Sequence, residues 1–390
     1  MKTKQLAHTL VLVTFWFVFD AAFSGCGGLR LSRPLRSTSD DWPTFARLGT
    51  RIGSTPDLIQ PPLKLVFEYD VTAGVGNGSP LIVDSMLIVG NLRGELYVIN
   101  AFTNKRVGWV NLGDAIQGSP VVDGSVVFVA LSNSRESLVA FDLLDGRAKW
   151  KREYGDLEVS PLLHNNMLYV GNTAGVFSCV DRNDGELMWR FEIPDNTKLK
   201  GIRSSAAAEG ALVFFGADDG NVYALDAATG SSRWKFPTYA GVVATPVIHD
   251  SAVFVGNTRG FFHAIDMRSG ILRWKTDTGS PIYSSASVAN NVALIGNAAG
   301  NLAALRIDDG SLVWQTNLEG VINSAGVVSG DTYYVGTLKK EVFGVRLTDG
   351  SISWKHEVSG RVKTSPAVAA GILFVATDER NVLGFRGETQ

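Results

Sequence analysis

Seven of the nine tryptophans in this 390-residue chain fall on one position of a repeat of about forty residues. The clearest copy runs from Thr245 to Trp274, TPVIHDSAVFVGNTRGFFHAIDMRSGILRW. It reads as a small residue and Pro, an apolar run, a polar turn, an apolar run ending in Gly, a turn, an apolar run ending in Asp, and a Gly-containing turn before Trp. That is four short strands joined by tight turns. The Pro position is followed through Pro80, Pro120, Pro161, Ala206, Pro246, Ala286, Ala325 and Pro366. The Trp position gives Trp109, Trp150, Trp189, Trp234, Trp274, Trp314 and Trp354. Gly stands four residues before Trp in six copies, and Lys105 takes its place in the first. A four-stranded unit of this size cannot bury both of its faces alone. Packed radially, each sheet covers its neighbour and the ring closes.

The expected fold is therefore all-β: an eight-bladed β-propeller of four-stranded antiparallel blades. Runs such as Ala252-Val253-Phe254-Val255 and Val213-Phe214-Phe215 are almost wholly apolar, as strands covered on both faces should be. The eighth copy, from Thr364-Ser365-Pro366, stops after Phe385 without its Trp strand. The segment Leu63–Tyr69 precedes the first copy and is expected to complete the last blade, with Phe67 near the Trp position. Such closure removes two free sheet edges. The repeated Trp and Gly are read as structural, the Trp filling the space between blades and the Gly supplying positive φ.

The first residues read as an export signal. Lys2 and Lys4 precede an apolar run from Leu10 to Phe19, and Phe23-Ser24-Gly25-Cys26 resembles a bacterial lipobox, with Phe23 where Leu is usual. Cleavage before Cys26 would leave that thiol to carry the lipid. Gly27 after the lipidated cysteine favours the outer over the inner membrane. The domain plan is a lipoprotein signal at 1–26, a tether and entry segment at 27–60, and the propeller at 61–390. Residues 27–41, with their Gly, Pro, Ser and Arg, are expected to be flexible. Cys179 then remains as the one unmodified cysteine, in the apolar run Val176–Val180, and is expected to be buried and inert. The formal net charge of −2 offers no nucleic-acid footprint.

Catalytic signals are poor. Gly74-x-Gly76-x-Gly78 leads into a strand rather than a helix and continues with Ser79. There is no Gly-x-Ser-x-Gly elbow. His164, His249, His263 and His356 lack ligand spacing, and Asp218-Asp219-Gly220 and Asp308-Asp309-Gly310 read as turns rather than calcium loops. No enzymatic activity, cofactor or metal is expected. One register is more informative. Three residues before each Pro position stand Asn77, Gln117, Glu158, Arg203, Val243, Tyr283, Ile322 and Lys363. On a propeller these ring the mouth of the central channel. They form either a hydrated funnel or a recognition surface in which Glu158, Arg203 and Lys363 fix an extended peptide. Tyr239, Leu199 and Tyr283 are candidate anchors.

The repeat resembles the quinoprotein-type, PQQ-like propeller repeat. Val222-Tyr223-Ala224-Leu225-Asp226-Ala227-Ala228-Thr229-Gly230 with Trp234 matches it best, and Asp41–Arg47 resembles the entry of such chains. The resemblance is specific for fold and weak for function. A quinone dehydrogenase of this fold would need a calcium ion held by carboxylate and amide groups, a catalytic Asp and a stacking floor, and this chain lacks the adjacent cysteines many of them carry. The lipid anchor and eight blades resemble instead the BamB family of outer-membrane β-barrel assembly. That resemblance implies a periplasmic scaffold tethered to the outer membrane. It would dock a protein partner, the barrel subunit of the assembly machine, through a loop reading Leu-Arg-Gly. Here the long loop Ile193–Arg203 contains Leu199-Lys200-Gly201, with Lys in place of Arg. Two other readings stay open: a propeller lipoprotein with another protein or glycan partner, and a quinone-dependent dehydrogenase.

Overall fold

The computed structural model describes residues 28–194 and 198–387. The signal segment and Cys26 lie outside the described residues. Eight antiparallel four-stranded sheets follow one another in sequence order. Blade 5 shows the plan: Val247–His249 innermost, then Ala252–Gly256, Phe261–Asp266 and Leu272–Asp277 outermost. Its second strand is buried throughout, while its outermost strand alternates between buried and exposed positions. This is the pattern expected where sheets cover each other near the axis and meet water at the rim.

Blade 8 is assembled from both ends of the described chain. Ala367–Ala369, Ile372–Ala376 and Asn381–Gly387 supply three strands, and Leu63–Asp70 supplies the outermost. Phe67 lies opposite Gly384, the register held by Trp354 opposite Gly344 in blade 7. The innermost strands of blades 8 and 1 are neighbours, so the ring is closed.

The tryptophans staple blade to blade. Trp150, Trp189, Trp234, Trp274 and Trp314 each donate the indole N–H to a backbone carbonyl where the next blade's third strand turns, at Arg182, Ala227, Met267, Ile307 and Leu347. Trp354 does the same to Leu63, 3.1 Å away in the closing strand. Each indole thus buries its apolar face and still satisfies its one donor. The turn glycine of the following blade is what the ring rests on. A Cβ at Gly185 would stand 2.7 Å from Trp150, and Gly185 has φ +75°. Steric room and a left-handed backbone both call for Gly there.

Blade 1 departs from the plan. Gly108, not Trp109, is opposite Val98, in the register that Trp150 holds opposite Ala140 in blade 2. Trp109 is one residue further on and stacks on Tyr97 at 6.1 Å. Counted from Gly108, the turn position is Asn104 rather than Lys105. Asn104 has φ +54°, which Asn tolerates better than most residues. The space left by the missing indole is filled by the chain's own beginning. A Cβ at Gly108 would lie 2.8 Å from the Leu29 Cα, and one at Gly146 would lie 2.9 Å from the Leu29 carbonyl oxygen. The backbone N–H of Leu31 donates to Leu143 at 2.6 Å, where an indole donates in other blades.

The segment expected to be flexible is therefore docked from Gly28 onward. Leu29, Leu31 and Leu35 are buried, and Arg33 pairs with Asp84. Leu29, Leu31 and Leu35 share an alternate-residue register that Arg33 interrupts, and the tertiary vacancy beside Gly108 reveals their place. The chain then crosses the disc. Trp42 pairs with Ile82 of blade 1, and the carbonyls of Pro43, Gly49, Thr50, Ile52 and Gly53 accept N–H bonds from Val122, Ala208, Ile248, Val288 and Val328. Ser54–Thr55 then adds a short parallel strand to blade 7. The innermost strands of a propeller expose unpaired N–H groups to the central channel, and this crossing segment accepts from one in each of blades 1, 2 and 4 to 7. Arg51 is fully buried within it, bonded to Ala206 O, Phe45 O and Thr44 Oγ1, and burial lowers its pKa to about 9.

Candidate functional site

The crossing segment plugs one end of the central channel, and the other end opens as a funnel. Antiparallel alternation puts the turns between first and second and between third and fourth strands on the plug face. The turns between second and third strands and the connections between blades lie on the opposite, funnel face. The cavity has a volume of about 590 Å³, with Phe45 of the crossing segment at its lining. Seven of the eight residues expected at the mouth line it: Asn77, Gln117, Glu158, Arg203, Val243, Tyr283 and Lys363. The exception is Ile322, which is buried; Asn323 lines the cavity in its stead. In blade 7 the residue at the Pro position is accordingly Gly326 rather than Ala325. The register is Ile-Asn-Ser there, as it is Ile-Tyr-Ser in blade 6 and Ile-Arg-Ser in blade 4. A buried aliphatic residue precedes each mouth position in these blades, and that spacing locates the register better than the Pro does.

A belt of hydroxyls below the mouth was not singled out from the sequence. Ser119, Ser160 and Ser205 each accept, at Oγ, the backbone N–H of Ser79, Ser119 and Ser160 respectively, at 2.6 to 2.9 Å. Ser285 accepts from Thr245 at 3.0 Å. Each hydroxyl thus ties one blade to the blade before it. The readable signal is the Ser or Thr directly before the Pro position in seven of the eight copies, with Ala325 the exception.

The charged mouth residues are held, not loose. Arg203 of blade 4 meets Asp218 of the same blade through Nε at 3.2 Å and Nη2 at 2.9 Å. The hydrogen bond to Asp218, and the charges of Asp218 and Glu158, raise its pKa further. Blade 8, diametrically opposite, repeats the device: Lys363 Nζ is 3.4 Å from Asp378, which also accepts from Arg361 Nε at 2.6 Å. Burial pushes the Asp378 carboxyl upward, but the Arg361 hydrogen bonds and the Lys363 charge outweigh it and hold its pKa below the usual range. The funnel is thus flanked by two pinned cations on opposite sides, with Glu158 beside one of them.

The long loop before blade 4 lies on the funnel face; residues 195–197 of it are outside the described residues. Gly201 O accepts from Asp218 N at 2.9 Å, and a Cβ at Gly201 would stand 2.6 Å from Asp218 Oδ2. The loop therefore packs on the Asp218–Gly220 turn, and Leu199 is left 67% exposed. Lys200 packs on the neighbouring turn at Gly175. On the far side of the Asp218–Gly220 turn, Tyr239 is 80% exposed on a backbone of φ +65°. The structure brings Leu199, Tyr239 and Arg203 to one side of the funnel face around blade 4. Tyr283 and Lys363 are on other blades, at the mouth.

The oxygen donors that line the funnel are mainly side-chain amides and hydroxyls. Glu158 is the one carboxylate among its lining residues, and it sits beside Arg203. Among the described residues, no three His, Cys, Asp or Glu side chains come together as metal ligands.

A closed ring of eight blades, stapled by indoles and carrying a plugged polar funnel, defines a propeller of the PQQ-like repeat class. Comparison with known families places it more narrowly. The model described as outer membrane protein assembly factor BamB matches residues 46–177, 173–324 and 318–389, so the chain belongs to that family. Curated relatives include the BamB assembly factors of Bordetella pertussis, 26% identical over 45% of this chain, and Yersinia pestis, 29% identical over 39%. These matches span 45% and 41% of the relatives' own lengths. A quinoprotein ethanol dehydrogenase of Pseudomonas putida is also related, 31% identical over 25% of this chain and 16% of its own. Among solved structures, BamB from Moraxella catarrhalis superposes with a TM-score of 0.71 at 20% identity, over 83% of this chain and 99% of that one. The quinohemoprotein alcohol dehydrogenase of Comamonas testosteroni gives 0.74 at 13%, over 91% and 82%. At these identities the structural likeness establishes the fold alone.

Proposed function

We propose that this protein is a non-catalytic scaffold that assists assembly of outer-membrane β-barrel proteins through protein contacts on its funnel face. Cleavage of residues 1–26 and lipidation of Cys26 would hold it at the periplasmic side of the outer membrane, with residues 27–60 leading into a propeller at 61–390. The observation that carries this reading is the cluster around blade 4. Two large apolar side chains, Leu199 and Tyr239, are exposed beside Arg203, whose fork is fixed by Asp218. Exposed aromatic and aliphatic anchors beside a preorganised arginine are the usual makings of a binding hot spot. Family membership supplies the partner class, a component of the barrel-assembly machinery.

The test is binding of the full-length, membrane-extracted protein to a purified barrel-assembly subunit. Lys200→Glu and Arg203→Glu should each weaken it tenfold or more, given the roughly 2 kcal/mol or more that hot-spot residues contribute. Unchanged binding in both variants would contradict the reading. A second reading is supported by the 590 Å³ polar funnel itself, which suits a peptide or glycan end. In that case Tyr283→Ala and Lys363→Glu, not Lys200→Glu, would abolish binding.

A further inference from the structure

The Trp-like docking of the N-terminal segment fixes where a lipid on Cys26 must leave the molecule. Leu29 is seated between the outermost strand of blade 1 and the plug-face turn of blade 2. Cys26 is three residues upstream, and three residues of extended chain span about 10 Å at most. A lipid on Cys26 would therefore be tethered within about 10 Å of Leu29, at the plug-face rim of blades 1 and 2.

That rim has the chemistry of a membrane contact. The blade 1 turn carries Lys105 and Arg106, both exposed, and no carboxylate. Next to it Phe102 is 53% exposed. Arg30, beside Gly146, and Arg147 add two more cations; the exposed carboxylates there are Asp145 and Asp40, and Asp40 lines the pocket that Phe102 shares with Arg36. The equivalent turn of blade 6, opposite blade 2, has Asp308 and Asp309 instead.

We infer that the plug-face rim of blades 1 and 2, around Phe102, Lys105 and Arg106, lies against an anionic membrane surface and turns the funnel face away from it. This inference rests on the lipidation of Cys26 proposed above. Polybasic contacts near an anionic leaflet contribute about 1 kcal/mol per cation, enough to orient a disc that the lipid already holds at the surface. The orientation keeps the plug face toward the lipid and leaves the loops around blade 4 facing the periplasmic space.

The experiment places an environment-sensitive fluorophore at Thr103→Cys on blade 1 or at Ser269→Cys on blade 5, which is across the ring. The two sites are equivalent: each side chain caps the residue three positions before it, Asn100 or Asp266. Cys179 is buried, and burial raises its pKa to about 11, so it does not compete for the label. Full-length protein is reconstituted into phosphatidylethanolamine–phosphatidylglycerol vesicles bearing a headgroup nitroxide quencher. Quenching should be several-fold stronger at 103 than at 269, and Lys105→Glu with Arg106→Glu should narrow the gap. Equal quenching, or stronger quenching at 269, overturns the inference. Mass spectrometry of the N-terminal peptide reads lipidation separately. If Cys26 carries no lipid, the lipidation proposal fails by itself. The orientation is then read with the chain beginning at Cys26, coupled through its thiol to a maleimide lipid, with the same two outcomes.

Discussion

The backbone N–H of Leu31 and the carbonyl of Leu143 form, at 2.6 Å, the hydrogen bond that a tryptophan indole makes at six other blade junctions. A propeller needs each junction filled and each turn carbonyl satisfied. At the junction of blades 1 and 2 the repeat supplies Gly108, and the N-terminal segment supplies the rest. The segment that leads into the propeller is thus part of its core.

This junction should be measurable as stability. Leu29→Ala removes the buried side chain that faces Gly108 and should cost about 2–5 kcal/mol. Urea unfolding checks it, with Leu199→Ala, at an exposed site, as a control expected to change stability by about 0.5 kcal/mol or less.

Ring closure makes a sharper prediction. Trp354→Ala leaves a cavity and an unpaired Leu63 carbonyl, and should cost about 3–5 kcal/mol. Removal of Leu63–Asp70 instead strips the outermost strand from blade 8 and exposes the edge of Asn381–Gly387. The expected outcome is aggregated protein, read by size-exclusion chromatography, rather than a folded seven-bladed ring.

Much of this was legible in the sequence, and the misses share a cause. The Trp, Gly and Pro spacing gave the eight blades, and the missing Trp after Phe385 pointed to closure by Phe67. These are local periodicities. The register of blade 1 was misjudged because Trp109 is a tryptophan near the right place, while the true position holds Gly108. Only contact with Leu29, far away in sequence, shows why Gly suffices there. The plug likewise leaves no periodic trace: its backbone, not its side chains, pairs with the inner strands. At the candidate site the mouth ring was readable, apart from the shift from Ile322 to Asn323. The pinning of Arg203 by Asp218 depends on how two loops fold together, and spacing does not reveal it.

His263 gives a pH signature. It is buried in the third strand of blade 5 against Phe236, and burial lowers its pKa to about 4 from the ordinary 6.5. Between those values the unfolded chain takes up a proton that the folded chain refuses. Stability therefore falls as pH drops from 6.5 to 4, by up to about 3 kcal/mol, and this contribution is flat below 4. Denaturant midpoints across that range, compared with His263→Phe, should show the slope reduced in the variant.

Cys179 should be silent in the folded state. Burial raises its pKa to about 11, and it is packed in the apolar third strand of blade 3. A thiol reagent at pH 8 should modify it only after denaturant is added. Rapid modification of the native protein would show that blade 3 opens readily.

The central claim is that the funnel face around blade 4 docks a barrel-assembly component. Photo-crosslinking in cells, with the reactive residue placed at Leu199, Tyr239 or the plug-face control Ser351, tests it most directly. The account predicts one adduct from Leu199 and Tyr239 that contains an outer-membrane barrel-assembly subunit, and none from Ser351. Adducts from Ser351 alone, or the same adduct from all three positions, would contradict it.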